Sequence, residues 1–148
     1  MKSVFDSATR NELIARINSL TPESKALWGK MDVAQMINHC TIAEDMYSGA
    51  VEVKRVFIGR LIGKFILKQA LKDETPFRKN SPTSPTLLKP TYTGNLEAQK
   101  AEWIKRVKQY ENYTNSAFVH PFFGPLNKEQ IGQLDYKHID HHLRQFGA

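Results

Sequence analysis

An all-α fold is what this chain predicts: four principal helices gathered into a four-helix bundle, with a long crossover that carries an extra helical stretch. Three observations predict it. Apolar residues recur at three- and four-residue intervals in separate stretches. Asp32 with Gln35, and Asn127 with Gln130, each have the form of a capping box, in which the first side chain takes an orphan N–H and the fourth residue reaches back. No alternation of apolar and polar residues runs long enough to build a sheet. Short loops join antiparallel helices and one long connection lets a bundle change direction, so the crossover belongs in the middle of the chain.

The elements follow in order. From Ser3 to Ser19, Val4, Phe5, Ala8, Leu13, Ile14 and Ile17 are spaced for an amphipathic helix, which Thr21-Pro22 stops. Leu27 and Trp28 form an aromatic lead-in ending at Gly29. A second helix starts at the Asp32 cap, buries Val33, Met36, Ile37, Cys40, Ala43 and Tyr47, carries His39 beside that stripe, and ends at Gly49. Between Val53 and Leu71 comes an apolar helical stretch striped by Arg60, Lys64, Lys68 and, just beyond it, Lys72. A charge at every turn excludes a bilayer span, which needs about 20 residues largely free of charge. A helix packed on the domain with snorkelling lysines is the reading of that stretch, with a dimer contact, or a membrane or nucleic-acid contact, as alternatives.

Asp73 to Gly94 holds Pro76, Pro82, Pro85 and Pro90 among Ser and Thr, which is long-loop chemistry. Asn95 then caps a helix with Leu96, Trp103, Val107 and Tyr110 on its apolar face, running to about Tyr113. His120 through Pro125 is a tight, aromatic-rich connection. The last helix starts at the Asn127 cap and ends at Gly147.

Composition narrows the function. The chain has 148 residues, 41% hydrophobic and 24% charged, the size and balance of one globular domain over residues 1–148. A formal charge of +6, from 21 basic and 15 acidic residues spread along the chain, makes nucleic acid a weak expectation. One cysteine, Cys40, excludes an internal disulfide, and the polar opening Met1 to Asp6 is not a signal peptide, so a cytoplasmic protein is expected.

Chemistry concentrates at the C-terminal end. Of five histidines, His138, His141 and His142 lie there, and His138 and His142 stand four apart, on one helical face. That face is the apolar one, shared with Ile131, Leu134, Ile139, Leu143 and Phe146, and His141 falls at its edge. Burying an imidazole unpaired costs on the order of 1–3 kcal/mol, so these rings need hydrogen-bond partners or a metal. His39, facing inward from the second helix, can meet His138 and His142. Three neutral histidines leave a divalent ion one open position, the layout of a catalytic site. Imidazole suits Zn, Ni, Cu and Fe alike; a divalent ion among Zn, Ni, Fe or Mn is the expected cofactor. The metalloprotease pattern is absent, because Ile139 follows His138 where a glutamate would serve as base.

Other residues have plainer readings beside their functional ones. His141 is an edge residue or a group beside the ligands that moves protons. His120 anchors its turn, and Cys40 is core rather than a nucleophile, because adjacent helical residues point about 100° apart. Asp135 and Asp140 are solvated carboxylates or orient a ligand imidazole. Trp28, Phe122 and Phe123 fill space or line a pocket over the ion.

Trp28-Gly29-Lys30-Met31-Asp32-Val33-Ala34-Gln35-Met36-Ile37-Asn38-His39-Cys40, with His120 to Gly124, Tyr136-Lys137-His138, and His141 to Gly147, resembles the DinB/YfiT-like superfamily, more narrowly a bacterial branch of it. The resemblance covers nearly the whole chain. It implies up-down-down-up helix order and a metal site on His39, His138 and His142, all present here. It further implies a metal-dependent transferase or isomerase using low-molecular-weight thiols, or a hydrolase, and a tendency to form homodimers. The expected activity is therefore that of a metal-dependent thiol transferase or hydrolase on a small-molecule substrate. The alternatives are a non-catalytic stress-associated or interaction protein with structural histidines, and a nucleic-acid binder.

Overall fold

The computed structural model describes residues 1–88, 94–115 and 117–148, and the chain is mostly helical. In order come α1 (Ser7–Asn18), α2 (Val33–Ser48), α3 (Phe57–Ala70), a 3₁₀ turn at Pro85–Leu88, α4 (Leu96–Gln109) running into a second 3₁₀ turn at Tyr110–Asn112, strands β1 (Val119–His120) and β2 (Gly124–Pro125), and α5 (Lys128–Gln145). No helix among these residues is long and apolar enough to cross a membrane. Pro90, expected in the long loop, lies outside the described residues.

The helix ends follow from their caps. Asp32 accepts the Gln35 N–H at 2.8 Å while Gln35 Oε1 accepts the Asp32 N–H at 3.0 Å, and Gly49 ends α2 at φ 88°, a conformation that favours glycine. Asn127 and Gln130 repeat the box at 2.8 and 3.0 Å, and Asn95 Oδ1 caps α4 through the Ala98 N–H at 2.9 Å. At the first helix the expected boundary moves: α1 begins at Ser7, and residues 4–6 form a turn instead. Val4 is fully buried, its N–H bonded to the Gly132 carbonyl, and Arg10 Nη1 donates to the Val4 and Phe5 carbonyls. Tertiary partners, not helical periodicity, bury that residue.

Leu13 and Ile17 of α1, Met36, Ile37 and Cys40 of α2, Trp103 and Val107 of α4, and Ile131, Leu134, Ile139 and Leu143 of α5 are all 1% exposed or less. They interdigitate in one core. α2 packs along α4 and against α5, and α1 also touches both α4 and α5.

One expectation is corrected. A sheet does form, although a small one: β1 and β2 pair antiparallel, Val119 with Pro125 and His120 with Gly124. Strands of two residues are too short to register as alternation, and the turn between them is closed by His120, whose Nδ1 accepts the N–H groups of Phe122 and Phe123 at 3.1 and 3.2 Å. α3 packs on the domain through Gly59, Gly63 and Leu67, all buried, and a Cβ on either glycine would run into the Phe122 carbonyl. Phe57, Leu61 and Phe65 face outward, which periodicity alone does not reveal because a face made largely of glycine carries little hydrophobic signal.

Candidate metal centre

α2 and α5 bring His39, His138 and His142 together. Ring centroids are separated by 5.0 Å for His39 and His138, 4.7 Å for His39 and His142, and 4.8 Å for His138 and His142. One ligand nitrogen from each lies within 4.8 Å of the others, and the Nε2 atoms of His39 and His138 are 3.0 Å apart. Zinc–nitrogen bonds of about 2.1 Å in tetrahedral geometry put ligand nitrogens roughly 3.4 Å apart, so the cluster stands close to the spacing such an ion needs.

The hydrogen bonds around the rings fix which nitrogen is free. His39 Nδ1 lies 3.1 Å from the Leu87 carbonyl; a carbonyl only accepts, so Nδ1 carries the proton and Nε2 keeps its lone pair. Gln145 Nε2 donates to the Trp28 carbonyl at 2.8 Å, which turns its Oε1 to accept from His142 Nδ1 at 2.9 Å. His142 Nε2 is thereby free as well. His138 Nδ1 is buried with no hydrogen-bond partner.

Electrostatics keep the rings neutral. Burial lowers the pKa of His39 more than the Leu87 carbonyl raises it. His138 is pushed well below the usual histidine range by burial and then by His142 and His39, and His142 falls to about 3 from burial first and His39 second. Neutral imidazoles with free lone pairs are the form that binds a cation. His39 and His142 are buried, whereas His138 keeps partial contact with solvent.

His141 stands beside this cluster, half-buried. Its ring lies 5.2 Å from that of His142, 5.7 Å from Trp28 and 6.2 Å from Phe77. A cleft of about 290 Å³ opens on its outer side, lined by Trp28, Pro76, Phe77, Lys79, His141 and Arg144. Lys79 Nζ sits 4.4 Å above the Trp28 ring. Trp28 therefore lines a cavity, though not the one expected over the ion: the cleft lies one ring removed from the triad, and none of the three histidines lines it. Phe122 and Phe123 do not line it; they meet edge to face, and Phe123 lies tilted against His120, at the hairpin.

Both aspartates depart from their expected roles. Asp140 is the hub of two ion pairs, to Arg16 at 2.8 Å and Arg144 at 2.7 Å. Asp135 is fully buried beside Glu44, which accepts from Tyr110 at 2.8 Å and from Trp103 at 3.4 Å. Burial pushes Asp135 up to about 7, and burial together with Asp135 raises Glu44 well above the carboxylate range. Cys40 is core, its thiol bonded to Met36 and its pKa raised by burial.

Leu87 and Gln145 are the partners that sequence reasoning missed. Gln145 had a signal, standing three residues after His142 on the same helical face. Leu87 acts through its backbone, which side-chain spacing cannot show.

Neither the comparison with curated proteins nor that with solved structures gives a match. Residues 4–148 match the family model described as a protein of unknown function, DUF1569. That match takes in all three histidines and both helices that carry them, and the chain belongs to the DUF1569 family.

Proposed function

We propose that the chain is a cytoplasmic metal-dependent enzyme of the DinB/YfiT-like type, with His39, His138 and His142 as ligands of one divalent ion. In this reading residues 1–148 are one domain, a four-helix bundle of α1, α2, α4 and α5 in up-down-down-up order with α3 in the crossover. The mutual packing of those four helices supports it. The observation that carries the metal reading is the convergence of three neutral imidazoles, two of them held by Leu87 and Gln145 with Nε2 unprotonated.

An ion on three histidines supplies Lewis acidity that makes water, or a low-molecular-weight thiol, a better nucleophile at neutral pH. The chain's own residues do the rest. The cleft holds a small-molecule substrate, with Trp28 and Phe77 against its apolar part and Lys79 and Arg144 offering positive charge to an anionic group. His141, between the cleft and His142, is placed to take or return a proton. Thiol transfer or hydrolysis is the reaction class.

The second reading, structural histidines in a non-catalytic stress-associated or interaction protein, draws on one contact, the 3.0 Å approach of His39 Nε2 to His138 Nε2. As a hydrogen bond it would satisfy that pair without an ion. That bond puts the proton on His138 Nε2 whereas an ion bound there puts it on Nδ1, and the buried Nδ1 has no hydrogen-bond partner in either reading. Metal analysis of protein purified without a histidine tag, with titration of Zn into chelator-treated samples, separates the two. Near-stoichiometric binding by the parent and loss of most of it in His138→Ala are expected. Equal metal content in both proteins would overturn the assignment, and a His39→Ala variant that loses stability but no metal would favour structural histidines.

A further inference from the structure

Helix α3 presents four parallel rows, each on four-residue spacing. Gly59, Gly63 and Leu67 form the buried row. With about 100° of turn per residue, Phe57, Leu61 and Phe65 stand opposite it and are 74%, 68% and 64% exposed. Ile58, Ile62 and Ile66, between 48% and 36% exposed, flank them on one side, and the exposed Arg60, Lys64 and Lys68 on the other. Because Gly59 and Gly63 seat the helix directly on the Phe122 backbone, the outer rows cannot roll inward. A contiguous apolar surface of this kind marks a place that another body covers.

Charge identifies the body. Between Glu52 and Asp73 there is no acidic residue, while Lys54, Arg55, Arg60, Lys64, Lys68 and Lys72 supply six cations. Among the described residues Arg60, Lys64, Lys68 and Lys72 take no ion-pair partner. A second copy docked α3 to α3 would gather two cationic rows in one contact, with no carboxylate from this segment to offset them. An anionic partner removes that repulsion. The helix is only about 21 Å long at 1.5 Å per residue, and lying flat it sets an apolar ridge beside a cationic one, the layout of an interfacial helix. We infer that α3 docks the protein on the surface of an anionic lipid bilayer. Phe57, Leu61 and Phe65 enter the acyl boundary, and Arg60, Lys64 and Lys68 meet the headgroup phosphates.

The test is co-sedimentation with vesicles of phosphatidylglycerol and phosphatidylcholine in equal parts, against phosphatidylcholine alone, using the parent chain, Leu61→Ser/Phe65→Ser and Lys64→Glu/Lys68→Glu. All four positions are exposed, and circular dichroism and metal content matching the parent establish that the variants fold. The parent should partition onto the anionic vesicles, weakly onto neutral ones, and less as salt rises. Either double variant should lose at least about tenfold in partitioning. No partitioning of the parent, or equal partitioning of Lys64→Glu/Lys68→Glu, would overturn the inference. So would a dimer in sedimentation velocity that Leu61→Ser/Phe65→Ser dissolves while the parent ignores vesicles, since the occupant would then be a second copy.

Discussion

Asp135 shows how one residue can read as surface and belong to the interior. On a helix bearing Asp, Lys and Arg it looks like a solvated carboxylate, yet it is fully buried beside Glu44, and burial raises its pKa to about 7. A carboxyl raised in the folded chain contributes its stability below the unfolded value near pH 4, and that contribution is lost as pH climbs through about 7. Asp135→Asn removes the group that must ionise. The variant should be more stable than the parent at pH 8 by ~1–3 kcal/mol, with the gap closing toward pH 4, as measured by urea unfolding across that range. A gap that widens on acidification would contradict the assignment. The three clustered histidines were legible as individual residues because their spacing and apolar face are local properties. Their tautomers were not, since His39 is held by the distant Leu87 carbonyl and Gln145, although close to His142 along the chain, is oriented by the distant Trp28 carbonyl.

At the scale of an element, α3 separates what periodicity can tell from what it cannot. Its helicity is plain in the sequence, and so is the cationic stripe, but which face turns inward is decided by the hairpin it meets. Phe122 presents a backbone carbonyl, held by the His120 turn, and only glycine lets a helix approach that closely. Gly63→Ala should therefore destabilise the protein by about 1–3 kcal/mol, because backbone rather than a flexible side chain must yield. Lys64→Ala, next to it and exposed, should stay within about 0.5 kcal/mol. Urea unfolding gives both values, and hydrogen exchange should show faster opening of the α3 amides in Gly63→Ala. If the glycine variant matches the parent, the close seat on Phe122 is not what holds α3. Capping is the contrasting case: the boxes at Asp32 and Asn127 were read correctly because four adjacent residues contain the whole interaction.

For the whole molecule the sum of buried titratable groups sets the pH response. His39, His120, His138 and His142 are all depressed, chiefly by burial. A depressed histidine contributes stability above its unfolded value near 6.5, and that stability is lost as pH falls toward the folded value, about 3 for His120 and His142. Glu44 and Asp135 act in the opposite sense over part of this window, but four groups outweigh two. Chelator-treated protein should lose thermal stability steadily as pH drops below 6.5, and more steeply in Asp135→Asn, where one opposing carboxyl is gone. Adding Zn at pH 7.5 to a hundredfold excess over its Kd should restore about 2.7 kcal/mol by mass action. A melting temperature indifferent to both acid and metal would remove the basis for a buried, cation-ready histidine cluster.

The sequence by itself determined the helices, their caps, the helical fold class and the identity of the three histidines that come together. These rest on interactions spanning three or four residues, which the order of amino acids encodes directly. Only the tertiary structure decided that Asp135 is buried, that Phe57, Leu61 and Phe65 of α3 face outward, that a two-strand hairpin seats that helix, that Leu87 holds His39, and that the Trp28 carbonyl orients Gln145 against His142. Each of those depends on a backbone group or a partner dozens of residues away, and a contact of that kind leaves no periodic trace along the chain.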